Sequence, residues 1–194
     1  AGGPGSLSQA QSYFTELAQN ENFRFRDKAA YMAVLAGLRS GAVAFEQVIA
    51  GANDFLRNFP ASPYREELLH TLAEEYFYMN QKDNALSYYS DYLVEFPRGK
   101  YVPRSLYLSA RCYRDAGSIG DAVQMLKRVR NEFNYTAYAD SAAETLGDIY
   151  RQQQKTDLAL NEYKRLLDNF RERPDWNPSV LGSRVESLAE KILE

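Results

Sequence analysis

FPASPYREELL at residues 59–69, FPRGKYVPRSL at 96–106 and FNYTAYADSAA at 133–143 are the three stretches that decide the fold of this chain. Each begins with phenylalanine and has tyrosine five places later, and the step from one stretch to the next is 37 residues. A sequence period of this length is typical of a solenoid, in which each repeat is one supersecondary unit packed on its neighbours.

The period at 64–97 contains two amphipathic helices. PYREELLHTLAEEYFYMN has apolar residues at helical spacing, the pattern breaks at 80–83, and it resumes as NALSYYSDYLVEF before Pro97, which cannot continue a helix. The next two periods repeat this arrangement. Small residues align in the first helices and again in the second helices, where they allow two helix axes to cross closely. They are Ala73, Ala110 and Gly147, and Ala85, Ala122 and Ala159.

The sequence therefore predicts an all-α solenoid of antiparallel helix pairs, with about nine or ten helices. Four units are expected, preceded by a lone helix and followed by a capping helix that covers the last open core. Asp27 is predicted to cap the first helix of the first unit. We interpret residues 1–6 as a linker or an expression scar, 7–194 as one domain, and the whole chain as an excised piece of a longer protein. The units are 27–60, 64–97, 101–134 and 138–171, the lone helix is 8–20, and the capping helix is 178–193.

The repeats resemble those of the tetratricopeptide repeat (TPR) family. In the unit 64–97 the resemblance rests on Leu69, Leu72-Ala73 and Tyr76 in the first helix and on Ala85, Tyr89 and Pro97 in the second. The unit 138–171 matches through Leu146-Gly147, Tyr150, Ala159 and Tyr163, with Arg171 in place of proline. The middle unit departs from the pattern at Ser109, Leu126 and Asn134. The usual period is about 34 residues. The resemblance implies a right-handed TPR-type α-solenoid that binds protein.

In this family the outward positions of the first helices line a long concave face, and carrying them over predicts the partner-binding residues. They are Glu67, His70, Glu74 and Phe77, then Arg104, Tyr107, Arg111 and Arg114, then Ser141, Glu144, Asp148 and Arg151. Residues 101–137 carry six Lys/Arg against three acids, whereas 64–100 carry four against seven. The functional hypothesis is a groove that holds a peptide by Arg–carboxylate contacts. The alternative is that these charges are ordinary solvated helix faces.

The tyrosines divide into three groups by their place in the repeat. Those in the TPR motif of the first helices are predicted to be core. Those in the connections between successive units, called joints below, are predicted to pack between units. Three others fall outside these registers and are candidates for partner contact, because tyrosine binds with little loss of entropy. The groups are Tyr76, Tyr113 and Tyr150, then Tyr64, Tyr101 and Tyr138, then Tyr78, Tyr88 and Tyr107.

Composition argues against several other functions. A net charge of −3 argues against a nucleic-acid partner, and no stretch reaches the roughly 18 to 20 apolar residues needed to span a membrane. Glu67, His70 and Glu74 share a helix face but fall short of a metal-ligand set. Cys112, the one cysteine, is predicted to be a buried thiol. We therefore expect no enzyme activity, no metal and no cofactor.

The FPxSxY joint is similar in style to the repeats of two bacterial cell-envelope families. These are the outer-membrane assembly lipoprotein that scaffolds barrel insertion and the periplasmic repeat protein associated with the Tol–Pal system. The resemblance implies a periplasmic or outer-membrane-associated scaffold. Two alternatives remain open: a regulatory or localisation domain of a cytoplasmic multidomain protein, and a scaffold that self-associates through its open ends.

Overall fold

A computed structural model describes residues 4–171, 187 and 190–191, and these contain nine α-helices and no strand. No helix among them is long and apolar enough to cross a membrane. The fold class is therefore all-α, as predicted, with antiparallel helix pairs α2–α3, α4–α5, α6–α7 and α8–α9. The helices are α1 (Pro4–Gln19), α2 (Arg26–Ser40), α3 (Phe45–Asn58), α4 (Arg65–Tyr78), α5 (Lys82–Glu95), α6 (Val102–Asp115), α7 (Ile119–Glu132), α8 (Ala137–Gln152) and α9 (Thr156–Arg171).

The contacts divide the chain into two compact units, an N-terminal unit (Ala1–Phe96) and a C-terminal unit (Pro97–Glu194). The single domain expected from the sequence stays a prediction. Helix α1 begins at Pro4, inside the segment interpreted as a linker or scar, and residues 1–3 lie outside the described part. Most of the expected capping helix 178–193 also lies outside it, apart from the helical residues at 187, 190 and 191.

The repeat is visible in where the helices begin and how each pair turns. Helices α3, α5, α7 and α9 begin at residues 45, 82, 119 and 156, a constant step of 37 residues. The turns inside the last three pairs each contain one residue with positive φ, namely Asn80, Gly117 and Gln154. The following amide donates to a carbonyl five residues earlier in each turn, at 2.8–2.9 Å. This Schellman-type hydrogen bond satisfies a carbonyl that the helix end leaves unpaired.

The repeated phenylalanine ends the second helix of the first three pairs. Phe59, Phe96 and Phe133 are C-cap residues with φ between −124° and −130°. Their backbone amides donate to the carbonyl four residues earlier, at 2.8–3.1 Å. Two of the rings also pack back on the preceding turn of their own helix, with centroid distances of 5.5 Å for Phe55–Phe59 and 5.7 Å for Tyr92–Phe96. The phenylalanine at each of these three positions is therefore the residue at which the second helix ends.

Each unit has its own hydrophobic core. Residues from α2, α3 and α4, including Tyr31, Phe55 and Leu72, form the core of the N-terminal unit. In the C-terminal unit Leu106, Leu126 and other residues from all four helices are fully buried. All six aligned small residues are buried as predicted: Ala73, Ala110, Gly147, Ala85, Ala122 and Ala159.

Side chains at the joint of the N-terminal unit tie one helix pair to the next. Tyr64 stacks on Tyr31 of α2 at 4.9 Å between ring centroids, which confirms the predicted packing of this tyrosine between repeats. The Ser62 hydroxyl donates to the Asp27 carboxylate at 2.8 Å. Asp27 therefore lies within the first turn of α2 and links to the next joint, whereas the sequence predicted it as the N-cap; Phe25 holds that position.

Gly147 marks the closest approach of α8 and α9. A Cβ atom built at this position would overlap the Tyr163 ring, lying 2.7 Å from its Cδ1 and Cζ atoms. The ring cannot easily move, because it is fully buried and its hydroxyl donates to Asp148 Oδ1 at 2.6 Å. Glycine at 147 is thus required by space, and not by backbone conformation.

We expect Gly147→Ala to lower the free energy of unfolding by about 1–3 kcal/mol, since overpacking outweighs the gain in helix propensity. Gly51→Ala is the matched control, because Gly51 is an exposed residue of α3 and a Cβ there would meet nothing within 4 Å. It should raise the stability by about 0.5–1 kcal/mol. Urea denaturation followed by circular dichroism measures both. Equal stabilisation by the two substitutions would contradict the close packing of α8 on α9.

Candidate protein-binding faces

The exposure of the candidate residues rises toward the C-terminal ends of α6 and α8, whereas the candidates of α4 stay partly or fully buried. The aligned residues Glu67, Arg104 and Ser141 are partly buried, as are Glu74, Arg111 and Asp148. In the last turn Phe77 is partly buried, while Arg114 and Arg151 are exposed.

His70 differs from the expectation of an exposed site residue. It is buried, with 3% of its surface exposed, and its ring lies 5.8 Å from the Tyr92 ring and 6.3 Å from the Tyr89 ring, centroid to centroid. Its Nε2 is 3.3 Å from Glu74 Oε2. His70 is therefore part of the contact between α4 and α5. The apolar pattern of the sequence did not predict the burial of His70, because α4 buries a wider face than its apolar stripe, including Leu68.

Helix α6 carries the basic part of the candidate site. Arg104, Arg111 and Arg114 are spaced at seven and three residues, which puts them on one helical face. The Arg114 guanidinium lies 3.4 Å from Asp115 Oδ1, and both side chains are about two-fifths exposed. Tyr107 lies 5.9 Å from the Tyr138 ring, centroid to centroid. Tyr107, predicted as a partner contact, is thus already partly covered by a joint tyrosine.

Two carboxylates on α8, those of Glu144 and Asp148, both contact one lysine from the C-terminal part of the chain. Lys191 Nζ lies 3.3 Å from Glu144 Oε1 and 2.8 Å from Asp148 Oδ1, and it sits 5.6 Å from the Tyr163 ring centroid. Burial, and then the hydrogen bond to Asp148, raises the pKa of the Tyr163 hydroxyl. The sequence placed both carboxylates on a binding face, but nothing in the repeat pattern indicates the lysine.

The tyrosines outside the repeat registers behave differently from one another. Tyr88 stacks on Tyr76 at 5.4 Å between centroids, and its hydroxyl donates to Asn53 Oδ1 at 3.1 Å. Burial raises the pKa of both hydroxyls. Tyr88 is therefore part of the packing of the N-terminal unit. Tyr78 is 68% exposed at the end of α4, which fits its prediction as a surface available to a partner.

Metal-ligating side chains are not clustered in the part of the chain that the structure describes. Among them, no group of three or more His, Cys, Asp and Glu side chains could hold a metal ion. Cys112 is fully buried, as predicted. A buried charged pair joins α7 and α9, where the Arg130 guanidinium contacts the Glu162 carboxylate. Burial raises the pKa of Glu162, and Arg130 opposes this shift. The pair bridges two helices, which is a structural role.

Lys191→Met should lower the free energy of unfolding by about 1–2 kcal/mol, between the values typical of exposed and buried ion pairs. The reason is that Glu144 and Asp148 would lose their shared cation while α8 stays partly buried. Lys164→Met, at an exposed position of α9, is the control and should change stability by less than about 0.5 kcal/mol. Denaturant unfolding of the three proteins tests this. If both variants are as stable as wild type, the Lys191 contacts with Glu144 and Asp148 do not stabilise the protein.

Comparison with known families and structures agrees with the repeat architecture. Residues 104–133 and 145–172 match the tetratricopeptide repeat family model, and these ranges span α6–α7 and most of α8–α9. Comparison with curated protein sequences gave no match. TPR repeats generally mediate protein–protein interaction, and such scaffolds are typically non-catalytic.

Solved structures with a similar fold have low sequence identity to the chain. The crystal structure of BtubC (BKLC) from P. vanneervenii has a TM-score of 0.66 and 15% identity, covering 98% of this chain and 84% of that one. A Podosopora anserina protein assigned as a kinesin light chain, with nearly identical TPR-like repeats, has a TM-score of 0.59 and 16% identity, covering 85% and 87%. Residues 104–133 and 145–172 thus match tetratricopeptide repeats, and the solved structures share the all-α solenoid fold of the chain.

Proposed function

We propose that the chain is a non-catalytic scaffold that binds an acidic segment of a partner protein through the first-helix face of its C-terminal unit. This basic face consists of Arg104, Arg111 and Arg114 on α6 and Arg151 on α8. The observation that carries the proposal is that the acidic and the basic side chains of this face differ in how accessible they are to a partner. Lys191 already contacts the carboxylates of Glu144 and Asp148, whereas Arg114 and Arg151 are exposed.

The chemistry of the basic face favours a carboxylate-rich partner. Guanidinium groups bind carboxylates with two parallel hydrogen bonds, which gives both affinity and orientation. Arg114 and Arg151 occupy equivalent positions one repeat apart, so an elongated segment could contact both. Asp115 is a carboxylate that competes for Arg114, and its contact with Arg114 is exposed and 3.4 Å long. Such a pair is weak and easily exchanged for a partner's carboxylate.

Arg111→Glu combined with Arg114→Glu should weaken partner binding by at least tenfold while leaving thermal unfolding unchanged. A lost charged hydrogen bond costs about 1.5–3 kcal/mol, and the reversed charge adds repulsion. The measurement is affinity for the partner recovered from extracts of the source organism, at low and at high salt. Lys127→Glu with Arg128→Glu is the control, because both residues are exposed on α7 and the charge change is the same. Equal affinity for wild type and both variants would remove the basic face from the site.

We place this scaffold in bacterial cell-envelope assembly, in the periplasm or at the outer membrane. Support comes from the FPxSxY joint, whose resemblance to envelope repeat proteins is carried by Phe59, Pro60, Ser62 and Tyr64. In the structure these residues form the helix stop and the inter-repeat contacts with Asp27 and Tyr31.

Fractionation of source cells, with an antibody against the chain, tests the compartment independently of binding. The protein should appear in the periplasmic or outer-membrane fraction, together with a known periplasmic marker. Recovery with a cytosolic marker would overturn the envelope assignment and leave the binding proposal intact.

A further inference from the structure

An apolar pocket opens in the N-terminal unit beside the connection between α1 and α2. Its volume is about 500 Å³, within the range of about 300–1,000 Å³ that is typical of sites for small ligands. Four aromatic rings and two flexible apolar side chains line this aromatic pocket, and such a lining favours an apolar ligand. They are Phe14, Phe23, Phe25 and Tyr64, with Leu17 and Met32.

The walls of the aromatic pocket are fixed by contacts within the protein. The Phe23 amide donates to the Asn20 carbonyl at 2.9 Å, and the Phe23 and Phe25 rings meet edge to face at 6.1 Å between centroids. The Tyr64 ring stacks on Tyr31. Phe25 nevertheless remains 53% exposed. A ligand that covers this ring therefore gains free energy by burying apolar surface, and the walls need no rearrangement to receive it.

The charged side chains beside the pocket are cationic. Lys28 is the charged residue among the described residues of the lining, and within the described structure its ammonium makes no hydrogen bond or ion pair. Arg24 lies 5.5 Å from the Phe25 ring centroid and has no carboxylate partner among the described residues. The Asp27 carboxylate accepts a hydrogen bond from Ser62 instead. An apolar cavity beside such cations is complementary to a ligand with a carboxylate at the end of an apolar body.

The orientation of the rings favours an alkyl chain over a flat ring system. Phe23 and Phe25 are inclined at 74° to each other, so these two rings form no pair of parallel faces between which a planar group would stack. Met32 has an unbranched, flexible side chain that adapts to an irregular neighbour. A flexible alkyl chain can follow walls of this kind.

From these observations we infer that the aromatic pocket binds a small, free carboxylate with an unbranched alkyl chain, of the fatty-acid class. The chain packs against the rings of Phe14 and Phe25 and the side chain of Met32, and the carboxylate pairs with the Lys28 ammonium. This inference goes beyond the proposed scaffold function. It concerns the N-terminal unit and does not involve the basic face of the C-terminal unit.

Three ligands with the same chain and different charge test the inference on the intact protein: octanoate, 1-octanol and octylammonium. Carbon-13 labelling of the methionine methyl groups gives three NMR signals, from Met32, Met79 and Met125. Octanoate should shift the Met32 signal until it saturates and leave the other two signals unchanged. Octanoate should bind about tenfold more tightly than octanol, the value of one charged hydrogen bond, and octylammonium should bind most weakly.

Two substitutions separate the charged contact from the apolar one. Lys28→Gln should weaken octanoate binding about tenfold and leave octanol binding unchanged, whereas Lys127→Gln, at an exposed position of α7, should change neither. Phe25→Ala should weaken the binding of both ligands. Its control is Tyr13→Ala, which removes a 68% exposed ring of α1 outside the lining and should have no effect.

Unchanged Met79 and Met125 signals show that each variant is folded. Three results would overturn the inference: no shift of the Met32 signal at millimolar octanoate, equal affinity for octanoate and octylammonium, or unchanged octanoate affinity in folded Lys28→Gln.

Discussion

Every helix pair of this chain depends on a turn in which the backbone leaves the helix at a fixed residue. That residue has a positive φ in all four pairs, at Gly41, Asn80, Gly117 and Gln154, and in the last three pairs the next amide donates a hydrogen bond to a carbonyl five residues back. Only one of the three, Gly117, is a glycine; Asn80 and Gln154 adopt the same conformation with a side chain. Side chains rarely take up this conformation. The turn is therefore held by the packing of the two helices as well as by its own residues.

A fixed turn sets the register of the second helix against the first, and the second helix must then stop at the right length. The phenylalanine C-caps end the second helix. The rings of Phe59 and Phe96 pack on the preceding turn of their own helix, which fixes the residue at which the chain leaves that helix. Between these two fixed points the aligned small residues meet neighbouring helices closely. The contact of Gly147 with Tyr163 shows how little space remains. The period of 37 residues is constant at the starts of the second helices, whereas helix lengths vary from 14 to 16 residues and the connections from three to six residues.

The sequence predicted the structural features that recur in every repeat. It did not predict the side-chain contacts that occur in one repeat only. The helix pairs, the buried small residues and the buried Cys112 follow from patterns that recur or from simple hydropathy. The resemblance predicts His70 on the exposed face, because the concave-face positions of the family carry over to it and to the aligned Tyr107 and Glu144. In the structure that position is covered by a different contact in each repeat: by Tyr89 and Tyr92, by Tyr138, and by Lys191. Such partners come from elsewhere in the chain and leave no local pattern.

The proposed basic face belongs to the part of the structure that repeats. It arises from positions that the repeat exposes, so any repeat can place a charge there. The attraction of such a charge for a partner acts over a Debye length and weakens with salt. The contribution of the basic face to binding should therefore fall as ionic strength rises, because its exposed guanidinium groups are screened by solvent ions.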